Sequence, residues 1–199
     1  MPNIPPATKA LMLICTAVYF LEQLVPFGGM LALWPLGSGL FWPWQVVTYA
    51  FLHASIMHLF FNMLGLWMFG SELERVWGSR RYLAFLLAGV LAAAAAQLLV
   101  TQLLHSNAPT VGASGGLYAL LLAFGMLFPN QVIMPLFPPI PMKARTFVIF
   151  FGALELVLGI YGGSGVAHFA HLGGMAGGYL VIRYWRGQPP FGGGGPRRR

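Results

Sequence analysis

A serine and a histidine, each set among glycines, stand in strongly apolar sequence: Ser114 in Gly112-Ala113-Ser114-Gly115 and His171 in Ala170-His171-Leu172-Gly173-Gly174. A histidine within reach of a serine hydroxyl takes its proton and makes the oxygen a nucleophile. A third polar cluster lies upstream, from His53 through His58 to Asn62. His58 and Asn62 are spaced i, i+4 and so share one helix face. An imidazole N–H and an amide aimed at a developing negative charge form a side-chain oxyanion hole. Polar groups in lipid are expensive and mark function. The three clusters together describe a hydrolytic site built inside a membrane.

Each motif also has a plainer reading. Ser114 fits an ordinary helix N-cap in a glycine-rich loop. His58 and Asn62 fit a pair of interhelical hydrogen bonds. His168 lies three residues before His171, on nearly the same face, and is the rival base or half of a metal pair. His171 is favoured because it adjoins the glycines of a close-packing face. His53 reads as structural and His105 as a loop residue. The histidines at 53, 58, 168 and 171 offer nitrogens to a metal, but no cysteine or carboxylate is expected beside them except Glu22. A metal would also leave the Ser114 loop unexplained, so neither a metal nor a cofactor is expected.

Composition limits the chemistry further. Of 199 residues, 58% are hydrophobic and 8% charged, against about 25% charged in a soluble domain. The chain is therefore read as a polytopic membrane protein. It contains no aspartate, and its carboxylates are Glu22, Glu72, Glu74 and Glu155. An aspartyl dyad and a Ser-His-Asp triad are excluded, and the HExxH pattern of zinc proteases is absent. The single cysteine, Cys15, permits no internal disulfide. The net charge of +7 does not point to nucleic acid. The basic residues sit beside hydrophobic segments, which is the pattern of a cytoplasmic membrane face.

The elements that must position these groups are six apolar segments, read at 8–24, 55–69, 82–104, 114–128, 146–161 and 166–184. Several are shorter than the ~20 residues of a usual span. The first, after Lys9, lacks a small-residue cleavage pattern and is expected to stay as a span. The connections 25–54, 105–113 and 162–165 hold no Lys or Arg. All eleven basic residues fall on the alternate loops and ends. The positive-inside rule makes that side cytoplasmic, with both termini inside. The first long loop carries Trp34, Trp42 and Trp44 and is expected to lie partly in the outer leaflet. The proline-rich loop 129–145 should be irregular but rigid. Residues 187–199, ending in a glycine run and Arg197-Arg198-Arg199, read as a flexible basic tail, leaving 1–186 as the bundle domain.

A helix from Ser114 to residue 128 covers roughly 21 Å of a hydrocarbon core about 30 Å thick. If it ends near the cytoplasmic face, Ser114 lies on the order of 10 Å below the outer one. The start of a helix turns free N–H groups and positive dipole toward Ser114. Gly173 with Gly177, and Gly174 with Gly178, form two GxxxG spacings that let a neighbouring helix come close. Gly112, Gly115 and Gly116 offer the matching small surface. That packing would bring His171 within hydrogen-bond reach of Ser114.

With these residues in place, the chain resembles the rhomboid intramembrane serine proteases. The resemblance is carried by His53, His58 and Asn62, by the Gly112–Gly115 motif, and by Ala170-His171-Leu172-Gly173-Gly174 with Gly178. It covers nearly the whole chain. The stretches Phe69-Gly70-Ser71-Glu72-Leu73-Glu74-Arg75-Val76-Trp77-Gly78-Ser79 and Pro138-Pro139-Ile140-Pro141-Met142-Lys143 look like bacterial members. The resemblance implies an all-α, six-helix bundle in the bacterial inner membrane. It implies a Ser/His dyad without aspartate: Ser114 as nucleophile and His171 as general base. His58, Asn62 and the Ser114 backbone N–H match the oxyanion hole, with Gly112 and Gly115 flanking the serine. Tyr118 matches the aromatic residue that packs on the base, and His53 a structural histidine. Many relatives carry Trp-Arg in the first loop where this chain has Trp44-Gln45, a departure from the family pattern.

The implied function is cleavage of the transmembrane segments of single-pass proteins, met sideways from the lipid bilayer. Two other readings stand beside it. A catalytically silent relative would bind transmembrane helices without cutting, and such relatives typically lack Ser114 or His171. A small transporter would need intramembrane charge or a repeat, and only Glu155 is a candidate ion group. Glu155 is expected to hydrogen-bond inside the bundle, with no partner assigned.

Overall fold

The computed structural model describes residues 3–136, 139–161 and 166–191. Six principal helices run in chain order: α1 (Pro6–Leu24), α2 (Ile56–Trp77), α3 (Ser79–Leu103), α4 (Ser114–Leu127), α5 (Ala144–Tyr161) and α6 (Val166–Trp185). Each expected segment coincides with one of them. The largest departure is α2, which continues past residue 69 to Trp77 through a π-helical turn at Leu66–Gly70. Among the described residues, α1, α3 and α5 are long and apolar enough to cross a membrane. A bent pair, Gln45–Phe51 with Ile56–Trp77, adds a fourth candidate, and α4 is a shorter apolar helix. Large apolar side chains such as Leu13, Phe20, Ile149, Phe150 and Ile160 are exposed on the outside of the bundle. This is a lipid-facing surface, and the protein is a multi-pass membrane protein.

The helices pack through small residues. A Cβ on Gly173 or Gly177 would fall 2.3 Å from Ala96 or Ala92 of α3. A Cβ on Gly178 would fall 3.1 Å from Ala119 of α4. The two GxxxG rows of α6 therefore serve two different neighbours, α3 and α4. Tyr82, Phe85, Leu120, Phe124 and Phe147 fill the main core.

At the end of the bundle that carries most of the arginines, Glu74 caps α1. Its carboxylate accepts from the N–H groups of Ala7 (2.9 Å) and Thr8 (2.7 Å), and from the hydroxyls of Thr8 (2.7 Å) and Ser79 (2.6 Å). This satisfies the orphan donors of a helix that starts with proline and has no capping side chain of its own.

The loop between α1 and α2 is ordered. Short helical turns at Gly28–Leu31, Leu36–Ser38, Gln45–Thr48 and Tyr49–Phe51 fold it back on α3. Gln45 is fully buried there. It accepts from Trp34 N–H (3.2 Å) and donates to the carbonyls of Met30 (3.3 Å) and Leu40 (3.1 Å). Trp42 and Trp44 stack at 5.0 Å on its exposed side. The loop 129–145 is less irregular than expected: Val132–Ile133 (β1) pairs antiparallel with Met142–Lys143 (β2). Extended residues next to proline suit a short two-stranded ribbon. Pro138 of the proline run, the loop 162–165, and the tail from residue 192, including Arg197 to Arg199, lie outside the described residues.

Candidate active site

Ser114 is the first residue of α4. The turn before it is set by Gly112, whose φ of +128° is natural for glycine alone. Gly112 N–H donates to the Tyr49 carbonyl (2.9 Å), and the Tyr49 hydroxyl donates to the Val90 carbonyl (2.9 Å). Two residues before Gly112, Thr110 pairs with Leu33 of the long loop. Its hydroxyl also takes a hydrogen bond from Gln97 of α3 (2.7 Å). The serine turn is thus held from two elements, and the first N–H groups of α4 have no intrahelical partner.

His171 lies in the second turn of α6. Its Nε2 is 2.7 Å from Ser114 Oγ. The approach depends on glycine, because a Cβ on Gly174 would lie 1.9 Å from the Gly115 carbonyl oxygen. Tyr118, one turn along α4 from Ser114, stacks on the His171 ring at 4.3 Å with the planes 6° apart.

His58 and Asn62 border the same cavity. This hollow of about 270 Å³ is also lined by Gly112, Ser114, Tyr118 and His171. A Cβ on Gly112 would sit 2.8 Å from His58 Nε2 and 3.6 Å from Ser114 Oγ, so the imidazole lies against that glycine beside the serine. Ser55 caps α2 by accepting from His58 N–H (3.1 Å). The Asn62 amide is turned along its own helix, where Nδ2 donates to the His58 carbonyl (2.9 Å). Its second amide hydrogen remains for another acceptor. His53 is buried, edge-on to His58 with ring centroids 5.1 Å apart. His105 follows α3 in a loop, at φ +51°.

Glu155 of α5 hydrogen-bonds inside the bundle as expected, and corrects the expectation that no carboxylate except Glu22 accompanies the histidines. It is 7% exposed. Its Oε2 lies 2.6 Å from His168 Nδ1 and 2.9 Å from His171 Nδ1, the latter out of line for a full hydrogen bond. Its Oε1 accepts from the Tyr118 hydroxyl. His168 contacts Glu155 and not Ser114, and its ring is 6.4 Å from that of His171. Glu155, His168 and His171 each offer a ligand atom within 4.8 Å of the others. The contacts of 2.6 and 2.9 Å are closer than the roughly 3.4 Å that separates ligands around a tetrahedral zinc. As placed, the Glu155 carboxylate is hydrogen-bonded to His168 and Tyr118.

A depth argument would have found Glu155. It lies six residues before the end of α5, about 9 Å, while His171 lies five residues after the start of α6, about 7.5 Å. The two helices are consecutive, so both groups fall near one level.

The fold and these residues define a helical membrane protein with a serine and a histidine in hydrogen-bond contact. The rhomboid domain family matches residues 41–187, and the chain belongs to that family. It is similar to the rhomboid protease GlpG of Serratia proteamaculans, at 32% identity over 185 residues. It is also similar to the proteins of that name from Yersinia enterocolitica, at 28% over 185 residues, and Yersinia pestis, at 27% over 187. Each match covers 90% of this chain and 62% of the relative, so the chain spans less than two thirds of their length.

Proposed function

We propose that this chain is an intramembrane serine endopeptidase that cuts transmembrane segments of single-pass membrane proteins near the outer face of the bilayer. The observation that carries the reading is the 2.7 Å contact between Ser114 Oγ and His171 Nε2 in a cavity bordered by His58 and Asn62. The names of the similar proteins and the family membership support it.

In this reading Ser114 Oγ attacks the scissile carbonyl as its proton passes to His171 Nε2. The oxyanion meets the Asn62 amide, His58 and the unpaired N–H groups at the start of α4. His171 then gives the proton to the leaving amine, and water, activated by the same imidazole, hydrolyses the ester. The chemistry calls for no metal or cofactor. Residues 1–186 would form the six-span protease domain in a bacterial inner membrane, with both termini and the basic tail 187–199 in the cytoplasm. The charge distribution along the chain supports that orientation.

The test is incubation of purified protein with a panel of transmembrane substrates, with any cut mapped by mass spectrometry. A fluorophosphonate probe should label Ser114, and Ser114→Ala should lose both labelling and cleavage while keeping the fold. Cleavage that persists in Ser114→Ala would remove this nucleophile. Binding of the substrates without any cut would favour the silent helix-binding reading.

A further inference from the structure

The carboxylate of Glu155 joins three groups from two other helices. We propose that Glu155 is the positioning residue of a Ser114–His171–Glu155 triad, holding the His171 ring by its Nδ1 side while Nε2 faces Ser114. This deepens the reading of Ser114 and His171 as nucleophile and base and rests on it.

The geometry behind it is specific. His171 has one ring nitrogen 2.7 Å from the Ser114 hydroxyl and the other 2.9 Å from Glu155 Oε2. A base that accepts at Nε2 must carry its own proton on Nδ1, and a carboxylate at Nδ1 selects that tautomer. The ring is fixed a second time through Tyr118, which stacks on it and donates its hydroxyl to the other oxygen of the same carboxylate. One side chain therefore holds both the base and the aromatic plate over it. In the proposed triad the carboxylate turns to bring Oε2, 2.9 Å away, into line with Nδ1. The competitor for that oxygen is His168, at 2.6 Å.

Proton accounting is unchanged by the third member. Bond formation between Ser114 Oγ and the carbonyl carbon sends the hydroxyl proton to Nε2. The Nδ1 proton stays on the ring throughout, and Glu155 stays ionised beside the imidazolium. On expulsion of the amine, the Nε2 proton goes to its nitrogen.

Glu155→Gln keeps the shape of the side chain and removes its charge. Orienting carboxylates in soluble triads are worth about 10⁴-fold in kcat. Here Tyr118 stacking also holds the ring, so we expect a fall of about 10²-fold in kcat, with KM and melting temperature little changed. Glu155→Asp, whose carboxylate is drawn back by one methylene, should recover part of that loss. It also serves as the test variant if Glu155→Gln does not fold, and must then fall below wild type in kcat with KM unchanged. Labelling of Ser114 by a fluorophosphonate should slow in step with kcat. A folded Glu155→Gln or Glu155→Asp protein with wild-type kcat overturns the proposal. So does a loss that follows the melting temperature alone. Ser114→Ala, run alongside, separates the cases. If it still cuts, the site itself is misassigned. If it is dead while Glu155→Gln is fully active, the dyad stands and Glu155 has no part in it.

Discussion

Gly174 of α6 meets Gly115 of α4 so closely that a Cβ on Gly174 would lie 1.9 Å from the Gly115 carbonyl oxygen. The atom met is backbone, which cannot swing aside, so the contact sets the distance between the helices that carry Ser114 and His171. Gly174→Ala should separate them. Overpacking of this kind costs roughly 1–3 kcal/mol, or about 3–10 °C in melting temperature for a chain of this size. Misplacing reacting groups by about 1 Å can cost on the order of 10² in rate. Gly29→Ala is the control, because a Cβ there meets nothing within 4 Å. Equal melting and activity for both variants would show that the helices do not need this contact.

Glu155 and His168 bear on which histidine acts as base. His171 faces Ser114, whereas His168 is tied to Glu155. His171→Ala should fall to the level of Ser114→Ala, since a nucleophile and its base act as a unit. His168→Ala should lose less, because it frees Glu155 for His171. Chelators should leave both wild type and His168→Ala unchanged. A dead His168→Ala with turnover in His171→Ala would reverse the assignment, and chelator inhibition restored by zinc would move the site to the metal class.

Ser114 and His171 were legible in the sequence because glycine marks the places where backbone must approach backbone, and a polar residue beside such glycines in an apolar segment has few other reasons to be there. The helices were legible from hydropathy, with the end of α4 marked by Pro129. Glu155 was different. Its partners are on α4 and α6, so no i, i+4 spacing announces them. The first loop was opaque for the same reason: Gln45 binds backbone groups of Met30, Trp34 and Leu40, which carry no residue-type signature. The π-helical turn at Leu66–Gly70 also left no sign, and it carried α2 beyond its expected end.

The pair at His58 and Asn62 calls for a graded outcome. Both line the Ser114 cavity. The Asn62 amide spends one hydrogen on the His58 carbonyl, which fixes the side chain and leaves one hydrogen for another acceptor, in the proposed reading the oxyanion. Losing a single oxyanion donor typically costs on the order of 10²–10³ in kcat. With other donors sharing the charge, Asn62→Ala should cost about tenfold (~1.4 kcal/mol), in kcat and not in KM. His58→Ala should act similarly and also loosen the start of α2, which melting will register. The double variant should be far worse than either single one. A well-folded double variant with unchanged kcat would reduce the pair to interhelical hydrogen bonding.

The Trp44-Gln45 departure from the expected Trp-Arg has a local answer. Gln45 is fully buried and its amide binds one N–H and two carbonyls of its own loop. An arginine would bring donors only and could not accept from Trp34 N–H. Gln45→Leu keeps the bulk and leaves the Trp34 N–H and the Leu40 carbonyl unpaired, while the Met30 carbonyl keeps its bond from the Trp44 indole. A buried unpaired group costs about 1–3 kcal/mol, but these bonds are only partly buried, so the total should be about 1–2 kcal/mol. The loop also pairs Leu33 with Thr110 and holds Gly112 through Tyr49, so its loosening should reach the serine turn. We expect faster proteolytic nicking between residues 28 and 44 and a kcat reduced several-fold. The same nicking rate and melting temperature as wild type would mean that Gln45 only fills space, and that the loop is held by its tryptophans and the Leu33–Thr110 pair.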